Sequence, residues 1–266
     1  MDTTLPDVKA PIGVFDSGVG GLSILRALRA ELPHEGFVYV ADSAFAPYGE
    51  RDEALVRERA LRITQDLLEQ HHIKALVVAC NTATAAAIAP LRALHPQLPI
   101  VGVEPALKPA AAQSRTHRVG VLATRGTLAS AKYRALQNTL RHETDFVDVP
   151  CDGLAAAIEA DNTPEIARLC QHYLTALGPL GHEAGMIDTI VLGCTHYPFV
   201  SETLNQFGAA GLVLLESGAP VARQTHRLLQ ERGLLQAAGP GSVHYQATGS
   251  DASLRWAAAH GLGDDT

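Results

Sequence analysis

Eight short apolar runs alternate with longer stretches of helical periodicity along this 266-residue chain. The runs are Ile12–Phe15, Phe37–Val40, Ala75–Ala79, Ile100–Val103, Arg118–Leu122, Phe146–Val149, Thr189–Leu192 and Leu212–Leu215. Between them apolar residues recur at helical spacing, as where Leu22, Leu25 and Leu28 share one face. Such alternation specifies parallel strands joined by crossover helices. Strands that are apolar along their whole length, with no polar alternation, need cover on both faces. The expected fold class is therefore α/β, with doubly wound parallel sheets. Val243–Ala247 reads as a further strand and Ala252–His260 as a closing helix.

An internal repeat narrows this further. Ile12-Gly13-Val14-Phe15-Asp16-Ser17-Gly18 resembles Val119-Gly120-Val121-Leu122-Ala123-Thr124-Arg125, a strand followed by a hydroxyl-bearing loop and a helix. Later in each half, Val77-Val78-Ala79-Cys80-Asn81-Thr82 resembles Val191-Leu192-Gly193-Cys194-Thr195-His196. Both matches occur in the same order and at similar spacing, which points to duplication. Each half then carries a cysteine at the carboxyl end of a strand, where open α/β sheets bind their ligands.

Composition excludes several classes of function. Lys and Arg number 21 against 28 Asp and Glu, a formal charge of −7, and no basic run overrides it. Such a surface repels phosphate backbones, so no nucleic-acid partner is expected. No apolar stretch approaches the ~20 residues that span a bilayer, so no membrane partner is expected either. The opening Met1–Pro6 has neither a basic start nor an apolar core, so no secretory leader is expected. Four cysteines without Cys-x-x-Cys spacing read as reduced thiols of a cytoplasmic protein.

Among those cysteines, Cys151 and Cys170 read as small core residues. Cys80 and Cys194 differ, because each ends an apolar strand and precedes a polar pair, Asn81-Thr82 or Thr195-His196. A helix is expected after each, whose first-turn N–H groups would lower the thiol pKa and hold anions. The loop Asp16-Ser17-Gly18-Val19-Gly20-Gly21 is either a tight turn needing positive φ or a backbone nest for an anion. Ser23 stands where a dinucleotide fingerprint would need glycine, so no nucleotide cofactor is expected. Asp16 reads equally as a helix cap or as a catalytic carboxylate. Tyr48 and Gly49 sit in a stiff loop, Asp42–Glu50, that is long for a plain strand-to-helix link. His196 is a proton partner, a metal ligand or a bystander. Cys194 and His196 alone supply only two ligands, so no metal is expected.

Together, Val14–Leu22, Pro47-Tyr48-Gly49, Ala79–Ala83 and Leu192–Pro198 resemble the glutamate racemase family, in order and over Ile12 to about Leu234. His196 after Cys194-Thr195 is the glutamate-type residue, where aspartate racemases tend to carry Glu. The resemblance implies cofactor-independent racemisation of L- and D-glutamate, which would supply D-glutamate for peptidoglycan. It implies catalytic thiols at Cys80 and Cys194, with Asp16 and His196 as their acid/base helpers and Glu159 near the second thiol. It also implies substrate contacts at Asp16, Ser17, Tyr48, Gly49, Asn81, Thr82, Thr195 and His196. Two pseudo-symmetric α/β domains are implied, with the site in the cleft between them. The first comprises 1–104 and 216–266 and the second 105–215. The partner is a small-molecule substrate, and an oligomer is allowed. Glu104 departs from the apolar residue that related racemases carry there.

Physical chemistry agrees with two thiols, since racemisation removes a proton from one face of a carbon and returns it on the other. None of Lys9, Lys74, Lys108 and Lys132 lies in a motif resembling a pyridoxal lysine. Developing carbanion charge then needs fixed dipoles in a dry site. The rivals are an aspartate racemase or one-thiol decarboxylase of the same superfamily, a thiol hydrolase with Cys80 as nucleophile and His196 as base, and a binding module for small anions. The hydrolase leaves Cys194 without a task, and the binding module leaves both thiols unexplained.

Overall fold

A computed structural model of the chain describes residues 7–249. In chain order its elements begin β1 (Ile12–Asp16), α1 (Leu22–Glu31), β2 (Gly36–Ala41), α2 (Glu53–His71), β3 (Ala75–Val78) and α3 (Asn81–Leu94). They continue with β4 (Ile100–Gly102), α4 (Leu107–Gln113), β5 (Arg118–Ala123), α5 (Arg125–Ala129), α6 (Ala131–Asn138) and β6 (Asp145–Pro150). The rest are α7 (Leu154–Glu159), α8 (Thr163–Leu177), β7 (Thr189–Gly193), α9 (Ser201–Phe207), β8 (Val213–Leu215), α10 (Gly218–Glu231) and β9 (Ser242–Ala247). Single 3-10 turns occupy Tyr48–Glu50 and Tyr197–Val200. The helix expected at Ala252–His260 lies outside the described residues.

Two compact units divide the chain: Met1–Ala46, Asp52–Val103 and Gly218–Thr266 form one, Pro47–Arg51 and Glu104–Ser217 the other. The first contains a five-stranded sheet in the order β4-β3-β1-β2-β9 and the second a four-stranded sheet in the order β6-β5-β7-β8. Every pairing between these strands is parallel. The chain steps from β1 to β2, then crosses to the other side of β1 for β3; it does the same from β5 to β6 and then β7. Each sheet thus reverses direction once beside its first strand, which opens a crevice at the carboxyl ends of β1 and β3, or of β5 and β7.

Both faces of the second sheet are covered, as its unbroken apolar strands require. Val119, Val121, Ala123 and Val191 pack with Leu107, Ala110 and Tyr133 on one side. Leu122, Ile190 and Leu192 pack with Leu154, Leu169, Leu174 and Leu204 on the other. In the first unit α1 lies against α10 and α2 against α3. Gly13 has no room for a side chain, since a Cβ there would stand 2.9 Å from Ile73 of the chain leading out of α2. Lys74, at the start of β3, is fully buried with its Nζ 2.5 Å from the equally buried Glu35. Among the described residues no helix is long and apolar enough to cross a membrane.

Candidate functional site

At the crevice of the first sheet, β1 ends in Asp16, whose carboxylate is wholly buried. Its Oδ2 accepts the backbone N–H groups of Gly18 at 3.1 Å and Gly21 at 3.0 Å. The Tyr39 hydroxyl donates to the Gly18 carbonyl at 2.6 Å and closes the loop from below. Neither expectation for this loop survives unchanged. None of Gly18, Gly20 and Gly21 has a positive φ. Gly21 is required by close approach instead, because a Cβ would lie 2.5 Å from Asp16 Cβ and 2.8 Å from the Tyr39 hydroxyl. Two amides of the supposed anion nest are already engaged by the chain's own carboxylate. Asp16 therefore has the geometry of a loop and helix anchor, whatever else it does.

The neighbouring strand, β3, runs into Cys80, which has extended backbone (φ −133°, ψ 123°) and caps α3. Its Sγ accepts the Ala83 N–H at 3.5 Å. The sulfur there stands at the positive end of a 14-residue helix. Thr84 fixes this first turn by donating to the Val78 carbonyl at 3.1 Å and accepting from the Val103 N–H at 3.0 Å. Ser17, Asn81 and Thr82 are buried beside these two loops. Among the described residues the Asn81 side-chain nitrogen is buried without a hydrogen-bond partner.

In the second sheet Thr124 follows β5 and caps α5 through the Thr127 N–H. Cys194 and Thr195, both buried, follow β7. Here the expected helix does not begin at the thiol: a 3-10 turn intervenes, and α9 starts only at Ser201. The second thiol is served by a histidine instead. Cys194 Sγ lies 3.5 Å from His196 Nδ1, and His196 Nε2 lies 2.7 Å from Glu159 Oε1. Burial works against a charged imidazole, but hydrogen bonding and charge from Cys194, and then from Glu159, outweigh it. His196 is thus held well above the ordinary histidine pKa. As an imidazolium it donates Nδ1–H to the sulfur and Nε2–H to the carboxylate.

Tyr48 opens a 3-10 turn and is buried. Gly49 has Thr124 pressed against it, so that a Cβ would fall 2.6 Å from Thr124 Cγ2. Cys151 and Cys170 lie in the core of the second unit, where burial pushes the Cys151 thiol far up and Cys170 to about 11. Among the described residues no three or more His, Cys, Asp or Glu side chains gather as metal ligands. A cavity of about 420 Å³, lined by Arg26, Arg29, Phe37 and Ser242 among others, lies at the amino ends of β2 and β9 and includes none of these residues. Sequence reasoning passed over Glu50, which accepts the Gly153 N–H at 3.1 Å. The signal for it was its place directly after Tyr48-Gly49.

Comparison with known proteins places these residues in context. The family model for Asp/Glu/Hydantoin racemase matches residues 22–225. The chain is 49% identical over 243 residues to the glutamate racemase of Ectopseudomonas mendocina, covering 91% of this chain and 90% of that protein. Among solved structures, a glutamate racemase isoform of Bacillus anthracis superposes with a TM-score of 0.83 at 29% identity, covering 94% of this chain and 93% of that one. The Escherichia coli glutamate racemase, solved with L-glutamate and the activator UDP-MurNAc-Ala, gives a TM-score of 0.82 at 31% identity over 96% of each chain.

Proposed function

Since the chain belongs to the Asp/Glu/Hydantoin racemase family, we propose that it interconverts L- and D-glutamate without a cofactor, using Cys80 and Cys194 on opposite faces of the α-carbon. The reading extends to a cytoplasmic role, the supply of D-glutamate for peptidoglycan. The observation that carries it is that both switch-point loops hold a buried cysteine, each with a hydrogen-bonding partner of its own.

In the L-to-D direction the Cys194 thiolate takes the α-proton and becomes a thiol, and the electron pair stays on the carbon. The Cys80 thiol then gives its proton to the other face and is left as thiolate. His196, charged and backed by Glu159, holds Cys194 ready to accept; Ala83 N–H does the same for Cys80 when the direction reverses. Asn81 Nδ2, with Thr82 and Thr195, offers donors to the substrate carboxylate. Tyr48, Gly49, Ser17 and Asp16 complete the substrate contacts on this reading. Lys74 and Lys132 are paired with Glu35 and Glu104, while Lys9 and Lys108 are exposed, which gives pyridoxal chemistry no buried, uncommitted amine.

The test is racemisation of L-glutamate in deuterated water with no cofactor added, stopped early. D-glutamate should carry deuterium at the α-carbon while the remaining L-glutamate stays protiated. Protium retained in most of the early product would mean one base serving both faces. No turnover of glutamate, with turnover of aspartate, would reassign the substrate.

A further inference from the structure

Helix α7 ends in Glu159, the residue that reaches His196, and it begins without a cap of its own. Its N-cap is Gly153, in left-handed backbone at φ +78°, with no side chain to offer and no acid in the first turn. A carboxylate from a distant segment binds the N-cap residue itself: Glu50 Oε1 accepts the Gly153 N–H at 3.1 Å, 103 positions away in sequence. The preceding residues are pinned in turn. Tyr197 Oη donates to the Cys151 carbonyl at 3.4 Å, and Tyr173 Oη donates to the Asp152 carbonyl at 2.5 Å. Arg125 is ion-paired with the Asp152 side chain.

At about 1.5 Å rise per residue, the six residues of α7 make a rod of roughly 9 Å. A rod this short transmits displacement at one end to the other. It also carries Glu159 at its negative end, where a carboxylate is disfavoured until the imidazolium of His196 meets it. Glu50 belongs to the same 3-10 turn as Tyr48 and Gly49, and Gly49 is held against Thr124. That turn is therefore a fixed point from which α7 can be set.

We infer that Glu50 is a positioning residue for the Cys194 half of the reaction: its hydrogen bond to Gly153 seats α7 so that Glu159 meets His196. The inference rests on the racemase reading above and names a residue to which that reading gives no part.

A double-mutant cycle with Glu159 tests it. Glu50→Ala should lower kcat about tenfold with KM nearly unchanged, the scale expected when a catalytic group is displaced without being removed. In a Glu159→Gln background the same change should cost less than about twofold, since residues acting through one another do not add. Glu50→Gln keeps an acceptor for the Gly153 amide and should restore most of kcat. Glu50 is exposed, so these variants are expected to fold; if the alanine variant does not, Glu50→Ser, too short to reach Gly153, takes its place. Independent, multiplying effects of the two sites overturn the inference, as does a glutamine variant no better than the alanine one. Wild-type protein that fails to racemise glutamate ends the underlying reading instead, so the two failures are distinct.

Discussion

Glu159 Oε1 stands 2.7 Å from His196 Nε2, joining a half-buried carboxylate to a buried imidazole. The carboxylate reaches the histidine across 37 positions of sequence, from the last residue of a short helix. Cys194 first, and then Glu159, converts a histidine that burial alone would neutralise into one held well above its ordinary pKa.

The sign of the resulting pH dependence is fixed. Because the folded-state pKa of His196 is raised, its contribution to stability is fully present below the unfolded histidine value of about 6.5 and is lost as pH rises through the folded value. Activity that needs the charged ring should therefore persist through neutral pH and fall on the alkaline side. Glu159→Gln removes one of the groups that raise it, and the alkaline limb of kcat/KM should move to lower pH. A limb that stays in place would show that Cys194 alone holds the proton on the ring.

The four cysteines should separate into two classes. Alanine at Cys80 or Cys194 should abolish glutamate turnover, since every cycle uses both, with losses beyond the ~10²–10⁴ typical of an acid/base helper. Alanine at Cys151 or Cys170 should leave kcat near wild type and cost about 1 kcal/mol of stability as a small core truncation. Kinetics and thermal unfolding of the four variants decide this. Full activity in either member of the first pair contradicts a two-thiol mechanism.

Asp16 holds two roles that two substitutions can pull apart. Asp16→Ala leaves the amides of Gly18 and Gly21 without an acceptor, each a loss of about 1–3 kcal/mol, and Tm should fall. Asp16→Asn keeps an acceptor but no charge, so Tm should hold while kcat drops about 10²-fold and KM changes little. An asparagine variant with wild-type kcat would confine Asp16 to holding the loop.

A stability prediction concerns Lys74 and Glu35, which are buried together at the start of β3. Lys74→Met strands a buried carboxylate and should cost about 3–5 kcal/mol in denaturant unfolding. Lys74→Met combined with Glu35→Leu should recover most of that loss. A double variant as unstable as the single one would mean that Lys74 matters mainly through its bond to the Val8 carbonyl.

Much of the fold is legible in the sequence, for definite reasons. Val77-Val78-Ala79-Cys80 and Val191-Leu192-Gly193-Cys194 are unbroken apolar runs that stop at a thiol, and β3 and β7 lie where those runs lie. The matching strand orders of the two sheets reflect the repeat already visible around Ser17 and Thr124. What stayed hidden depends on approach between segments. Nothing local says that Gly21 makes room for Tyr39, that a 3-10 turn rather than a helix follows Cys194, or that the Gly153 amide is bound by Glu50. Strand ends shifted by a residue or so, as at Asp145–Pro150, because the last pairing in a ladder is set by the neighbouring strand.

The two thiols rest on unlike supports, one on the amide of a helix turn and the other on an imidazole backed by a carboxylate. Enantiomers have equal free energy in an achiral solvent, so on the racemase reading kcat/KM must be the same from either hand, however lopsided the catalyst. The asymmetry can surface only in how that shared ratio divides into turnover and saturation. Because that equality holds at every pH, ionisation of the ring beside Cys194 shifts turnover and saturation together for each hand, and the two hands share one pH profile of kcat/KM.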